Sequence, residues 1–594
     1  MAGSTSTVGR GAGTRRSDIR PRLGNSVGSS ISDLRPRVYV VAALLLGFAL
    51  VIVARLVEIQ VMQHSHFATL ATEEHWRETP LPARRGDILD VHGNPLATTV
   101  DFETLYASTN EISDPTTTAT KLAPLLGQPE ASLAQQLAKK QTAPIQLAVG
   151  LTDTTAKQID ALNLSGLYFQ IESRRVYPQG NLAAQLLGVV GVDGNGLSGL
   201  ELQFNSALAG KAGDVIADRD TSGDAIPYGP HQITQPVDGA SVTLTVDRYV
   251  QWVAERELTA AMQSNSVAGG SIVVLDPRNG AVLAIAGRPS FTHGPDIYSP
   301  NSVALYGIPA IADPEDPGTV FKPFALAAAL DSGAVSAGSV FTDTGSFSYA
   351  GETVQALGSE PTGPETLGQS LARSGTLAVA WAAMKSGPTA FYAVLNRFGF
   401  GQDDHIDLPG ATPGALRQPT APDWFALDLA TNAEGRGFQV TTLQLAVAAG
   451  AIANGGTGYQ PYVVQQVAGP DGHQVFTPKT TGRVISPATA AAVSRALVTA
   501  VDDPTSDVHA AAVPGYAIAG AAGTVETPVI GGYNQTQTVA TFVGYAPADR
   551  PRFVVVLRLA GIKNGSPAPA VSAFNAVARE LLTYYQIPPS RTVP

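Results

Sequence analysis

The chain has 594 residues, of which 44% are hydrophobic and 15% charged, so it is long enough for several domains around a large buried core. Its formal net charge of −11 argues against nucleic acid as a main partner. The absence of cysteine excludes disulfides and thiolate metal sites, and the nine histidines show no metal-ligand spacing, so we predict no metal and no cofactor.

The composition of the N-terminal region predicts a membrane anchor. Residues 1–37 carry seven arginines against two aspartates in a Gly- and Ser-rich background, which predicts a disordered basic arm. Residues 38–58 are almost continuously apolar and long enough for a transmembrane helix. Because arginines precede this segment, we expect the N-terminus in the cytoplasm and the rest of the chain outside the membrane. A cleaved signal peptide is the alternative, but the apolar stretch exceeds the usual length of such a segment.

The remainder divides near residue 240. Residues 59–240 mix strand-like runs with amphipathic segments near 116–126 and 130–140. Residues 241–594 begin with the alternating run SVTLTV and a helix opened by Asp247. The later elements predicted here are a hairpin around PRNG, an apolar helix at 320–332, helical segments around 369–397, and strands at 538–545 and 553–559. This order predicts an α+β domain with one central sheet.

Several segments, in order along the chain, resemble those of class B penicillin-binding proteins. They are RGDILD at 85–90 with Gly93, RVYPQGNLAAQLLGVVG at 175–191, GLE at 199–201, SIVVLDPRNGAVLAIAGRPSF, FGFG at 398–401, VTTLQLAVAAGAIANGG at 440–456 and FVGYAPADRPRFVVV at 542–556. The resemblance implies a pedestal domain over 59–240 and a penicillin-binding domain over 241–594 with a central antiparallel sheet flanked by helices. In the pedestal, we predict that Arg85, Asp87 and Asp90 form a salt-bridge and turn network rather than a catalytic site.

The resemblance also implies an acyl-transfer site built from three elements, S-x-x-K, S-x-N and K-T-G. The first aligns with Thr319-Val320-Phe321-Lys322, where the lysine is present and threonine replaces the serine nucleophile. Threonine keeps a hydroxyl, but on a β-branched carbon with restricted rotamers. The second aligns with Ser374-Gly375-Thr376, where threonine replaces asparagine. Thr319, Lys322 and Ser374 are therefore the candidate catalytic residues.

The third element aligns with Ala521-Ala522-Gly523-Thr524, where both lysine and threonine have become alanine. Together with Thr376, these four are the candidate substrate-binding residues. The cation expected to face a substrate carboxylate is absent. Backbone N–H groups at Thr319 and Thr524 remain available for an oxyanion hole, because backbone donors survive substitution.

Three functions follow from this pattern. The first is a catalytically impaired member of the family in peptidoglycan synthesis and cell division or elongation. The resemblance implies that such a protein docks on a polytopic glycan polymerase of the SEDS family and on other membrane proteins. The second is an active D,D-transpeptidase with Thr319 as nucleophile. The third is a hydrolase or sensor that binds peptidoglycan or β-lactam without transfer.

Overall fold

The computed structural model describes residues 35–64, 76–218, 231–355, 361–373, 375–529, 532–563 and 565–591. Nearly all of the basic arm predicted at 1–37 lies outside the described residues. The chain divides into two compact units, Met1–Thr79 with Val215–Ile233, and Pro80–Asp214 with Thr234–Pro594.

The first unit contains the apolar N-terminal helix. The helix runs over Arg35–Val57 and continues as one π-helical turn, Glu58–Met62. Its segment Tyr39–Met62 is long and apolar enough to cross a membrane, and none of it is buried within the protein. The helix thus covers the span predicted at 38–58. Strands Trp76–Leu81, Gly213–Asp218 and His231–Thr234 form a small sheet in that order.

The second unit begins with the pedestal segment. Its helices are Pro115–Leu126, Glu130–Ala138, Asp153–Asp160, Ala184–Leu187, Gly199–Gln203 and Asn205–Leu208. The first two correspond to the amphipathic segments predicted near 116–126 and 130–140. A sheet of seven strands joins this segment to the following one, in the order Gly472–Val475, Val464–Gly469, Ser241–Leu244, Ile88–Leu89, Pro95–Ala107 and Ile145–Leu151, with Leu167–Val176 also pairing with Pro95–Ala107.

The RGDILD segment forms the predicted salt-bridge and turn network. Glu201 is fully buried and accepts from Arg85 Nε at 2.6 Å and from Arg175 Nε at 2.7 Å. Asp90 is also fully buried and accepts from the backbone of Asn94 at 2.7 Å, which closes the turn. Arg85, Arg175 and Glu201 come from three separate family-like segments, so this network fixes them against one another. The predicted salt-bridge and turn contacts are thus present at Arg85 and Asp90, and Asp87 accepts from the Thr98 hydroxyl at 2.7 Å.

The central sheet has five antiparallel strands in the order Val282–Arg288, Gly269–Leu275, Phe553–Ile562, Gly532–Ala546 and Ala519–Val529. Alternate residues enter two different cores because side chains on a strand alternate between faces. Val273 and Leu275 join the core that contains Phe321, whereas Ile272 and Val274 join the core that contains Phe574. The predicted α+β fold with helix-flanked antiparallel sheet is confirmed.

Helices cover both faces of this sheet: Arg248–Asn265 and Ala568–Tyr584 pack on one face and Thr442–Ala453 on the other. The remaining helices of this region are Pro300–Val303, Pro309–Ala312, Lys322–Asp331, Leu367–Ala372, Leu377–Ser386, Pro388–Arg397, Ala426–Ala433 and Pro487–Asp502, with 3-10 turns at Gly318–Phe321 and His509–Ala511. Small strand pairs are Val340–Asp343 with Gly363–Thr366, Ser346–Tyr349 with Glu352–Gln355, and Thr457–Tyr459 with Thr480–Arg483. Asp247 caps Arg248–Asn265 by accepting from the Tyr249 backbone at 2.8 Å, as predicted.

Candidate active site

The candidate nucleophile lies in a 3-10 turn, Gly318–Phe321, which we call the nucleophile turn. The α-helix follows at Lys322–Asp331, so it begins two residues later than the helix predicted at 320–332. Residues three apart are eclipsed in a 3-10 helix, so the turn brings Thr319 and Lys322 onto one side. Pro323 suits the first helical turn because its missing N–H would have no intrahelical partner there.

Aromatic side chains hold the nucleophile turn in place. Phe321 is fully buried, and its ring centroid lies 4.7 Å from that of Phe438 and 5.0 Å from that of Phe400. Phe400 belongs to the FGFG segment and Phe438 lies just before VTTLQLA. The FGFG segment and the residues just before VTTLQLA therefore contribute the packing that fixes the turn.

The strand Ala519–Val529, which we call the third-motif strand, is the last strand in the order of the central sheet and lies against the nucleophile turn. A Cβ atom added at Gly523 would lie 2.0 Å from the Val320 backbone nitrogen and 2.8 Å from the Thr319 hydroxyl oxygen. A Cβ atom added at Gly318 would lie 2.5 Å from the Thr524 carbonyl oxygen. The two backbones thus approach to a distance that only glycine permits. The structure brings Thr319, Gly523 and Thr524 together.

The two alanines of the third motif face opposite cores. Ala521 is half-buried and packs against the core that contains Val320 and Phe321. Ala522 is 3% exposed and belongs to the other core. The position that faces the nucleophile side is therefore Ala521, and its methyl group offers no charge and no hydrogen-bond donor.

The second motif is described only in part. Ser374 lies outside the described residues. Thr376 is 2% exposed and immediately precedes the helix Leu377–Ser386, which packs against Lys322–Asp331. The fold thus places the second motif beside the helix that carries Lys322, while the position of the Ser374 side chain stays a prediction.

Lys322 is 2% exposed, and this burial lowers its pKa from 10.5 to about 8, while Asp507 and Glu434 act in the opposite direction. Glu434 is 5% exposed, and burial raises its pKa from 4.5 to about 7 against the effects of Arg436 and Lys322. Burial therefore makes the free amine of Lys322, the form that can accept a proton, more accessible near neutral pH than that of an ordinary lysine.

Sequence reasoning missed Glu434 and Arg436. Both lie in the run Glu434-Gly435-Arg436-Gly437, which begins six residues before Val440 of the matched VTTLQLA segment. The sequence feature that could have drawn attention to these two residues is a pair of opposite charges in a glycine-flanked run just before an apolar helix. Among the residues that the structure describes, no group of three or more His, Cys, Asp or Glu side chains could hold a metal ion.

Comparison with known proteins agrees with this geometry. Residues 270–581 match the family model described as the penicillin binding protein transpeptidase domain, and residues 80–244 match the penicillin-binding protein dimerisation domain. Stage V sporulation protein D of Bacillus subtilis is 31% identical over 85% of this chain and 78% of its own length. The chain belongs to the class B penicillin-binding proteins.

Other members of the family cover a similar share. PbpB of Mycobacterium tuberculosis is 31% identical, over 85% of this chain and 79% of the relative. The peptidoglycan D,D-transpeptidase FtsI of Escherichia coli is 30% identical, over 80% of this chain and 78% of the relative. These similarities extend over both the pedestal and the transpeptidase regions of this class B protein.

Two solved structures show the same architecture. Penicillin binding protein 3 from Mycobacterium tuberculosis, solved with aztreonam, is 26% identical and superposes with a TM-score of 0.67 over 87% of this chain and all of that chain. A peptidoglycan synthetase from Bifidobacterium adolescentis is 25% identical, with a TM-score of 0.70 over 87% of this chain and 98% of that chain.

Proposed function

We propose that this class B penicillin-binding protein is catalytically impaired and serves bacterial peptidoglycan synthesis and cell division or elongation as a structural or regulatory partner. The observation that carries the proposal is Ala521, which occupies the position on the third-motif strand that faces the core of the nucleophile turn. A family enzyme needs a cation there to hold the substrate carboxylate, and an alanine side chain supplies none.

The other substitutions act in the same direction. Thr319 keeps the hydroxyl but adds a methyl group where the strand backbone already approaches closely at Gly523. At Thr376 a single hydroxyl stands in place of the two amide donors and the carbonyl acceptor of asparagine. Because a catalytic unit loses activity non-additively, damage to several members removes most of an acceleration that reaches about 10⁶-fold in comparable acyl-transfer sites.

The structural role would rest on surfaces outside the altered site. The Arg85–Glu201–Arg175 network keeps the pedestal ordered, and it uses none of the altered residues. We propose a polytopic SEDS-family glycan polymerase and other division or elongation membrane proteins as the partners. The helix Tyr39–Met62 would then be a single membrane span with the N-terminus in the cytoplasm.

Fluorescent penicillin tests the impairment. Membranes that contain the full chain should show no labelled band beyond that of the Thr319→Ala variant, while an intact class B enzyme labels in parallel. Stoichiometric labelling that Thr319→Ala abolishes would refute impairment. For the structural role, Thr319→Ala should co-purify with the glycan polymerase as well as the unmodified protein does, and absence of the polymerase from both preparations would contradict that partner.

The alternative is an active D,D-transpeptidase. The close approach of Thr319 to Gly523 favours it, because this is the arrangement in which backbone donors of Thr319 and the strand can face one oxyanion. Thr319 would give its proton to Lys322 and form an ester with the acyl carbonyl. The C–N bond to the leaving D-alanine would break, with the proton passing to that amine. A mass increase on Thr319 during turnover of a stem peptide would support this alternative.

A further inference from the structure

Separate segments of the chain meet around one cavity of about 490 Å³, which we call the junction cavity. Its lining includes His92, Asp247, Arg278, Arg552, Tyr584 and Tyr585. The first of these residues belongs to the pedestal segment, and the other five belong to the transpeptidase region. Ligand pockets in proteins commonly have volumes of about 300–1,000 Å³, so the cavity is large enough for a small molecule that contacts both parts.

The junction cavity is separate from the candidate active site. On the strand Gly532–Ala546, the residue opposite Gly523 of the third-motif strand is Thr541. Arg552 instead precedes Phe553, whose partner on the same strand is Ala546, five residues further along. A strand rises about 3.3 Å per residue, so the two places are roughly 17 Å apart in the strand direction.

Both acids of the junction cavity already have partners. Asp247 is 3% exposed, caps its helix, and accepts from the Tyr584 hydroxyl at 2.8 Å. His92 Nε2 lies 3.2 Å from the same carboxylate. Asp276 is 5% exposed and accepts from Nε of Arg278 at 2.8 Å and from its Nη2 at 2.5 Å. These contacts leave neither acid as the counter-charge of Arg552.

Arg552 is a cation held in place by its backbone. Its N–H donates to the Ala546 carbonyl at 3.0 Å, which fixes the connection between two neighbouring strands of the central sheet. Its Nε atom is buried and has no hydrogen-bond partner among the described residues. The guanidinium faces an aromatic ring instead, with its carbon 6.0 Å from the ring centroid of Tyr585. A bound anion would stabilise a partly buried cation in this position.

The chemistry of the lining selects a single negative charge. The planar fork of a guanidinium can form two parallel hydrogen bonds with a carboxylate. A doubly charged phosphate would be repelled more strongly by the carboxylates of Asp247 and Asp276, which line the same cavity. The rings of Tyr584 and Tyr585 and the side chain of Leu283 offer contact to an uncharged body.

We propose that the junction cavity binds a carboxylate attached to a small uncharged body, and that Arg552 is the residue that binds the carboxylate. A peptide C-terminus and a sugar acid are two sources of this chemistry. Because the lining combines His92 of the pedestal with residues of the transpeptidase region, a bound ligand would also stabilise the packing between the two. The proposal does not depend on whether Thr319 reacts.

Calorimetric titration of the full chain in detergent distinguishes the two sources. N-acetyl-D-alanine represents the peptide carboxylate and D-glucuronate the sugar acid. Their neutral analogues are N-acetyl-D-alaninamide and D-glucose, and inorganic phosphate is the control for a doubly charged anion. We expect at least one acid to bind at least about tenfold more tightly than its neutral analogue and phosphate, since hydrogen bonds to charged groups contribute that much. If neither acid does so, the proposal is overturned.

Substitution of the arginine tests the assignment of the residue. Arg552→Gln should weaken binding of the acid at least about tenfold, because the charged fork is lost. Arg550→Gln, at an exposed arginine two residues earlier, is the matched control and should leave the affinity unchanged. Thr319→Ala should also leave it unchanged, which separates the junction cavity from the candidate active site. Equal affinity of Arg552→Gln and the unsubstituted protein would refute the role of Arg552.

Arginine modification supplies a test that needs no substitution and so cannot be confused with a folding defect. Phenylglyoxal reacts with free guanidinium groups, and peptide mapping by mass spectrometry gives the rate at each arginine. At about ten times its Kd, the acid should slow the reaction at Arg552 about tenfold and leave the rate at Arg550 unchanged. Equal rates at Arg552 with and without the acid would contradict the proposal.

Discussion

Gly523 of the third-motif strand lies against Val320 of the nucleophile turn, so closely that an added Cβ atom would come within 2.0 Å of the Val320 backbone nitrogen. Because the neighbouring atom belongs to the backbone, it cannot move aside as a side chain can. We expect Gly523→Ala to lower the free energy of unfolding by about 1–3 kcal/mol, as overpacking does elsewhere. Chemical denaturation of the protein measures this.

Gly307 provides the control for that substitution, because an added Cβ atom there would meet nothing within 4 Å. Gly307→Ala should change the free energy of unfolding by no more than about 0.5 kcal/mol. If the two variants are equally stable, the close contact between strand and turn is contradicted.

Among the acidic residues of the pedestal, Glu201 should be the one whose substitution lowers the free energy of unfolding most. It is fully buried between Arg85 and Arg175, so Glu201→Gln leaves two buried guanidinium groups without their counter-charge. We expect a loss of about 3–5 kcal/mol in the free energy of unfolding. Asp471→Asn, which removes the highly exposed partner of Lys211, is the control and should leave the denaturation midpoint unchanged. Equal stability of both variants would refute the network's structural role.

Restoring the nucleophile alone should not restore acylation. Thr319→Ser removes a methyl group, but the drug carboxylate still finds no cation at Ala521. The combination Thr319→Ser, Thr376→Asn, Ala521→Lys and Ala522→Thr should recover an acyl adduct, which time-resolved mass spectrometry with excess penicillin detects. Labelling of Thr319→Ser at the level of the combination would show that the third motif is not limiting.

The membrane topology makes a separate prediction. If Tyr39–Met62 crosses the membrane with the N-terminus inside, protease added to intact spheroplasts should degrade the chain beyond residue 62 and spare the N-terminal arm. A cytoplasmic protein with a matched size is the control for lysis. Protection of the region that contains Thr319 would contradict the orientation.

Most of the fold could be predicted because the pattern of apolar residues determines it. Gly269–Leu275 and Phe553–Ile562 are almost continuously apolar because their two faces enter two different cores, and Asp247 marks the start of its helix. The start of the helix at 320–332 was less accurate, because a tight turn at Gly318–Phe321 depends on distant contacts with Gly435 and Gly523. Such long-range contacts cannot be inferred from the local sequence.

The site was predictable only where residues match a motif. Thr319, Gly523 and Thr524 were found by alignment, and the structure brings them together. Glu434 was not found, because its burial is a tertiary effect: the adjacent Gly435 contacts Gly318, which lies more than one hundred residues earlier. A charge that acts through tertiary proximity leaves no local pattern to detect.

The seven-stranded sheet couples the pedestal mechanically to the transpeptidase region. Ile88–Leu89 pairs in parallel with Ser241–Leu244, which in turn pairs with Val464–Gly469. A load applied to the pedestal would act on several backbone hydrogen bonds at once rather than on a hinge between separate bodies. A partner that binds the pedestal would therefore also orient the transpeptidase region, whether or not Thr319 reacts.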